Sequence, residues 1–248
     1  MVKYKVSAVS YLNTIPFIYG LKNSLIFDQI ELSLDFPALC ADKLIRGEVD
    51  IALAPVVSIP QLVNPHIISD YCIGANGAVD TVCLYSDVPI SEIESITLDY
   101  QSHTSVELLK ILLREYWYLN PELKKADIGF EDSIKGKHAA LVIGDRTFDL
   151  QTKHTYIYDL SANWKQLTGL PFVFATWVSN KELPKDFILT FNVALEHGLQ
   201  NMNKAIALEG DNYPNCENSE DYLNNKISYH LDSEKKKGME LFFSKIIS

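Results

Sequence analysis

What most narrows the folds open to this chain is a regular alternation, in its first quarter, of short β-rich runs with segments of helical period. Residues 5–10 (KVSAVS) read as a strand. The polar cluster Tyr11-Leu12-Asn13-Thr14 then leads into a short helix with Pro16 in its first turn, where a missing N–H costs nothing. Residues 31–36 (ELSLDF) alternate as a second strand. Pro37 opens a helix in which Ala41, Leu44 and Ile45 recur at three- and four-residue steps, and Gly47 supplies its C-cap. Residues 50–54 (DIALA) are nearly all apolar, as in a strand buried on both faces; Pro55 ends them, and a further helical segment spans 56–63. A βαβα succession implies a mostly parallel sheet covered by helices.

The rhythm repeats further along. Residues 81–85 (TVCLY) and 96–99 (ITLD) read as strands, and Val106, Leu109, Leu112 and Leu113 mark a strongly periodic helix whose first turn Ser102 or Thr104 can cap. Short strands follow at 128–130, at 139–143 running into Gly144-Asp145-Arg146, and at 156–158. A helix over 161–168 ends at Gly169, and 171–178 (PFVFATWV) is another apolar strand. Beyond Asn180 the texture is helical, over 186–208, 221–230 and 233–247, with no internal repeat. The expected architecture is therefore α/β: two α/β lobes joined by two apolar crossover strands near Thr81 and Phe172, with a helical C-terminal tail. Lobe one is discontinuous, 1–85 plus 180–248, and lobe two is 86–179 including a crossover strand.

Composition excludes several classes. With 47% hydrophobic and 22% charged residues the 248-residue chain is neither disordered nor of low complexity, and its net charge of −10 argues against binding nucleic acid or an anionic membrane. The apolar run near the start is too short for a signal-peptide core, and no stretch approaches a membrane span, so the chain reads as cytoplasmic. Cys40, Cys72, Cys83 and Cys216 form no CxxC and have no paired His, which makes them buried thiols rather than metal ligands. Between Arg46 and Lys110 there is no Lys or Arg, while nine Asp and Glu lie there. An anionic ligand docking in that stretch must be held by neutral donors.

In open parallel sheets a ligand binds beyond the carboxyl ends of the strands, often against helix N-termini. That rule selects residues 10–14, 55–58, 76–81, 101–105 and 144–146, which supply mostly hydroxyls, amides and N–H donors. Such residues serve equally as caps and turns. Nucleophile-elbow, phosphate-loop, dinucleotide and zinc-protease signatures are missing. Of the histidines only His103 falls in a selected loop. Asp145, following a buried strand, is the better carboxylate, with an ion pair to Arg146 or a helix cap as its structural alternative.

Six segments, in order, resemble the chorismate dehydratase family of the futalosine route to menaquinone: VSAVSYLNTIPFIYGL, CADKLIRGEVDIALAPVVSIPQL, ISDYCIGANGAVDTVCLYS, LDYQSHTSVELLKILL, LVIGDR and WKQLTGLPFVFATWV. The likeness runs from about residue 5 to about 182 and continues more weakly through the tail. It implies a type II periplasmic-binding-protein fold and conversion of chorismate, a small-molecule substrate, to 3-[(1-carboxyvinyl)oxy]benzoate and water. The chemistry requires no metal or organic cofactor. On the family pattern Asn13 lies near the reacting ring, orienting the proton acceptor or polarising the departing hydroxyl. Thr104 and Ser105, beside Ser102, hold one carboxylate, and Ser10, Ser58 and Thr81 are further donors. Asp145 and Arg146 match the family's GDR block and either touch ligand or brace the cleft. His103 stands where many members carry Arg. The sister enzyme, a 1,4-dihydroxy-6-naphthoate synthase, has an N-terminal block resembling SPCPNDT where this chain has SYLNTIP. A noncatalytic cytoplasmic sensor of the same fold is the rival of another class, and nothing in the sequence selects between monomer and homodimer.

Overall fold

The computed structural model describes residues 3–213 and 219–246. Cys216 lies outside the described residues.

The opening alternation builds the first sheet. β1 (Tyr4–Val9) pairs in parallel with β2 (Ile30–Asp35) and with β3 (Ile51–Pro55), and the intervening helices α1 (Ile15–Lys22) and α2 (Pro37–Ile45) cover it. Both helices begin with Pro in the first turn, as the sequence predicts. Beyond β3 the sheet turns antiparallel: β10 (Phe172–Ser179) lies against β3 and β4 (His66–Ala75), and β11 (Ser228–His230) closes the edge, giving the order β11-β4-β10-β3-β1-β2. The sheet is thus mixed rather than mostly parallel.

The second sheet repeats the design. β6 (Ser95–Leu98) is parallel to β7 (Glu122–Lys125) and β8 (His138–Ile143), while β5 (Val82–Ser86) runs antiparallel to β8 and β9 (Tyr156–Asp159), in the order β7-β6-β8-β5-β9. Helices α3 (Thr104–Glu115) and α4 (Leu160–Thr168) belong to this half. The chain crosses from β4 to β5 through residues 76–81 and returns from α4 to β10 through 169–171. These are two lobes with two connections. Strand period places the core on both faces of β5 and β8: Leu84, Ala139 and Leu141 join the main cluster, and Cys83, Tyr85, Ala140 and Val142 form a smaller one on the other side.

The C-terminal helices fasten the first lobe. α5 (Lys185–Gln200) crosses α1 so closely that a Cβ on Gly20 would lie 2.0 Å from the Ala194 carbonyl oxygen, and one on Gly198 1.8 Å from that of Pro16. Only glycine permits this approach. α6 (Met202–Glu209) follows a break at Asn201, so the predicted continuous helix over 186–208 is two. The region 221–230, expected to be helical, is instead a short turn α7 (Ser219–Asp221), a π-helical turn (Tyr222–Lys226) and β11. α8 (Ser233–Ile246) then packs on β10, where Gly238 approaches the Pro171 carbonyl. Residues 128–130 are no strand: Gly129 at φ +81° turns the chain into a 3-10 turn, Phe130–Ser133.

Candidate functional site

A narrow cleft opens between the sheets, at the carboxyl ends of β1, β3 and β8 and at the start of α3. Its walls are chiefly apolar, from Val9, Pro55, Ile73, Val82, Ile143 and Phe174. Among the described residues none that lines it carries a charged side chain. Its polar groups gather in two places.

One cluster is the start of α3. Ser102 Oγ accepts the Ser105 N–H at 3.0 Å, capping the helix as the sequence suggests, and Thr104 Oγ1 accepts the Val57 N–H from the first lobe at 3.4 Å. Ser102, Thr104 and Ser105 all line the cleft. Thr104 uses an oxygen lone pair in that bond, so its own proton remains for a ligand. A helix twelve residues long ends here, and its free N–H groups favour an anion.

The other cluster is built on Asn13, in the first lobe, and Thr81, the last residue of the first crossover. Asn13 is buried in the 3-10 turn Leu12–Thr14; its Oδ1 accepts from Thr14 Oγ1 at 3.1 Å and its Nδ2 donates to the Tyr222 hydroxyl at 3.4 Å. Thr81 Oγ1 lies 2.8 Å from that same hydroxyl. The Tyr229 hydroxyl donates to the Asn13 carbonyl at 3.0 Å.

Asp145 and Arg146 sit behind the cleft and do not line it. The buried Asp145 carboxylate accepts the Leu12 N–H at 3.2 and 3.0 Å, tying the turn that carries Asn13 to the second lobe. Burial pushes its pKa up to about 7, against the pull of the Leu12 N–H and Arg146. Arg146 pairs with Asp99 at 2.5 Å and with Glu131, its guanidinium 5.7 Å from the ring centres of Tyr100 and Phe130. Asp99 also accepts the Ile143 and Gln101 N–H groups at 2.9 Å. Both residues therefore brace the loops around the cleft.

Three further expected positions fall away from the lining. Ser58 Oγ donates to the Pro55 carbonyl at 2.7 Å, and the Ser10 N–H donates to the Asp35 carbonyl at 2.9 Å. His103 is exposed and faces a separate groove outside α3 with Glu107 and Lys110.

The chain matches the model of a family described as menaquinone biosynthesis over residues 4–247. The chain belongs to that family. The chain is similar to a chorismate dehydratase from Thermus thermophilus, 27% identical over an alignment 229 positions long, with 83% of this chain and 83% of the relative covered. Two solved structures show the fold. A protein from Archaeoglobus fulgidus superposes with a TM-score of 0.78 at 13% identity, covering 98% of this chain and 96% of its own. A Candida albicans gene product, described as having the generic periplasmic binding protein structural fold, gives a TM-score of 0.63 at 13% identity over 100% of this chain and 94% of its own. The periplasmic-binding-protein-like fold expected from the sequence is the one the structure has.

Two tyrosines at the site were not singled out from the sequence. Tyr11 donates to Gln101 Oε1, and its ring rests on Gly144, which adopts φ +71°; a Cβ there would come within 2.7 Å of the ring. Tyr222 reaches Asn13 from far along the chain, in a segment read as plain helix. A signal existed for Tyr11, which lies in a selected loop, but none for Tyr222. Among the described residues no group of three or more His, Cys, Asp and Glu could hold a metal ion. The thiols of Cys40 and Cys72 are pushed up to about 12 by burial, and no described helix is long and apolar enough to cross a membrane.

Proposed function

We propose that this protein is a chorismate dehydratase, converting chorismate to 3-[(1-carboxyvinyl)oxy]benzoate and water for menaquinone biosynthesis. The observation that carries the reading is the cleft itself: an apolar slot with no cationic lining among the described residues, and with hydroxyl, amide and helix N–H donors gathered at two separate points. Chorismate is a cyclohexadiene ring that bears one carboxylate, a hydroxyl and an enolpyruvyl ether carrying a second carboxylate. The family match and the Thermus thermophilus relative support the same reading.

In this reaction a base takes the ring proton from the carbon that carries the enolpyruvyl ether. The electron pair left behind delocalises through the ring alkene toward the ring carboxylate, and the neighbouring C–O bond then breaks. The delocalised pair forms the new ring double bond as hydroxide leaves with the C–O bonding pair, takes a proton and departs as water, and the ring becomes aromatic. The protein has to orient the substrate, stabilise growing negative charge on oxygen and exclude bulk water. Thr104, Ser105 and the first N–H groups of α3 hold one carboxylate. Asn13 and Thr81 donate at the other cluster, where Asn13 orients the acceptor or polarises the departing hydroxyl; an amide is too weak a base to take the proton. The acceptor that Asn13 would orient is the substrate's own enolpyruvyl carboxylate. Sheet membership divides the lobes within 76–81 and 169–171, which differs from the expected bounds of 1–85 plus 180–248 and 86–179 by assigning β5 to the second lobe and β10 to the first; the enzyme works in the cytoplasm.

Incubating the purified protein with chorismate, and following mass and ultraviolet absorbance, tests the reading. An aromatic carboxyvinyl ether appearing at the expense of chorismate supports it. Binding without product would make the protein a sensor, and untouched, unbound chorismate would point to the sister enzyme's chemistry.

A further inference from the structure

The segment that follows α6 reaches, at one side chain, two residues that line the cleft. Tyr222 is 4% exposed, its ring held edge-on against Phe148 at 5.4 Å, and its hydroxyl meets the two polar side chains of the second cluster, Asn13 and Thr81. Proton bookkeeping gives these contacts a direction. The amide nitrogen of Asn13 can only donate, so in that contact the phenol oxygen accepts. Asn13 is fixed in this sense because its Oδ1 takes the Thr14 hydroxyl proton on the other side. The phenol has one proton left to give, and Thr81 Oγ1, at 2.8 Å, is the acceptor within reach. Were Thr81 the donor instead, a fully buried phenol proton would lack a partner among these contacts, which costs about 1–3 kcal/mol.

We propose that Tyr222 is a positioning residue that directs a hydrogen-bond chain, Asn13 amide to Tyr222 phenol to Thr81 hydroxyl, so that the Thr81 proton and the second Asn13 N–H are offered to the substrate oxygen in the cleft. Each donor in such a chain polarises the next, so the last proton is a stronger donor than an isolated hydroxyl. Burial keeps the phenol protonated by pushing its pKa well above the ordinary range. The C-terminal segment is thereby part of the site and not only a cover for the first lobe. The identity of the substrate oxygen rests on the dehydratase reading; the direction of the chain does not.

Tyr222→Phe keeps the ring and its packing on Phe148 and removes only the oxygen. With chorismate as substrate, kcat/KM is expected to fall about 10- to 100-fold, the size of one hydrogen bond to a charged group. In a double-mutant cycle with Thr81→Val the two losses should not multiply, because both variants break one chain. A second measurement is independent of turnover: in the 15N-labelled protein the Asn13 side-chain amide protons should shift and exchange faster with solvent in Tyr222→Phe than in the parent. Parent protein that leaves chorismate unchanged overturns the dehydratase reading, and the amide measurement then still decides the role of Tyr222. An Asn13 amide indifferent to the loss of the phenol oxygen, or fully multiplicative losses in the cycle, overturns the proposal.

Discussion

Asp145 is the residue whose replacement carries the most physical information. Its carboxyl is 7% exposed, accepts one backbone N–H through both oxygens, and is raised by burial from an ordinary 3.8 to about 7. A carboxyl that holds its proton more tightly in the folded chain than in the unfolded one makes folding less favourable once it ionises. The parent is therefore favoured by this group below 3.8, loses stability as the pH climbs toward about 7, and changes no further above that. At about 1.4 kcal/mol per tenfold change in proton affinity, the loss across that window is about 4 kcal/mol. Asp145→Asn keeps an oxygen for the Leu12 N–H and cannot ionise, so it is spared the loss. Urea unfolding of parent and variant between pH 4.5 and 8 should show the stability of Asp145→Asn gaining on the parent by about 3 kcal/mol over that range, the first part of the loss falling below pH 4.5. Every other titrating group cancels in the difference. A difference that stays level within about 1 kcal/mol across the range would refute the burial argument.

Other perturbations separate the two clusters from their supports. Asn13→Ala should lower kcat for chorismate by about 100-fold with KM changed far less, as expected for a donor used mainly in the transition state; unchanged turnover in a steady-state assay rules out the role given to it. Gly144→Ala forces an L-residue into φ +71° and drives its methyl into the Tyr11 ring, which can move only by giving up Gln101. A stability loss of about 2–3 kcal/mol is expected in urea unfolding, and a silent substitution would mean the Tyr11 contact is slack. Because no charged side chain among the described residues lines the cleft, KM for chorismate should change less than about twofold between low and about 0.5 M salt. A steep salt dependence would reveal a cation drawn into the site.

The first sheet was legible where chain order and strand order agree. KVSAVS, ELSLDF and DIALA are separated by helices with Pro at their starts, and they form β1, β2 and β3 as read. β4 was not, because HIISDYCIGA has polar Ser69 and Asp70 in mid-run, one bonded to Asn192 of α5 and the other with its N–H on the same amide. No local pattern announces such a partner, 122 or 123 positions away. β7 (ELKK) is an exposed edge whose alternation carries no apolar face, and β11 is three residues long, with a register shift against β4. The site divides the same way. Asn13, Thr81, Ser102, Thr104 and Ser105 follow from the rule that ligands lie at strand ends and helix starts, and they converge on one cleft. Ser10 and Ser58 obey that rule too, but their contacts are made by a strand continuing and a turn closing. Tyr222 obeys no such rule, since a π-helical turn after α7 brings it to the cleft.

The fate of Arg146 bears on why the cleft can do without a cation. This guanidinium stands next to the loop that lines the cleft at Gly144, yet it is spent on Asp99, Glu131 and two ring faces. Asp99 in turn holds the Ile143 and Gln101 backbones, which flank the α3 start and the end of β8. A cation placed inside would bind both carboxylates of a dianion in the ground state and gain nothing more as charge moves. Fixed dipoles held by an ion pair one layer back are already aligned when charge shifts from the broken C–H bond to oxygen. On this reading, removing Arg146 should harm catalysis through the geometry of Gly144 and α3, with turnover falling more than affinity. A variant that lost affinity alone would place the guanidinium on the ligand instead.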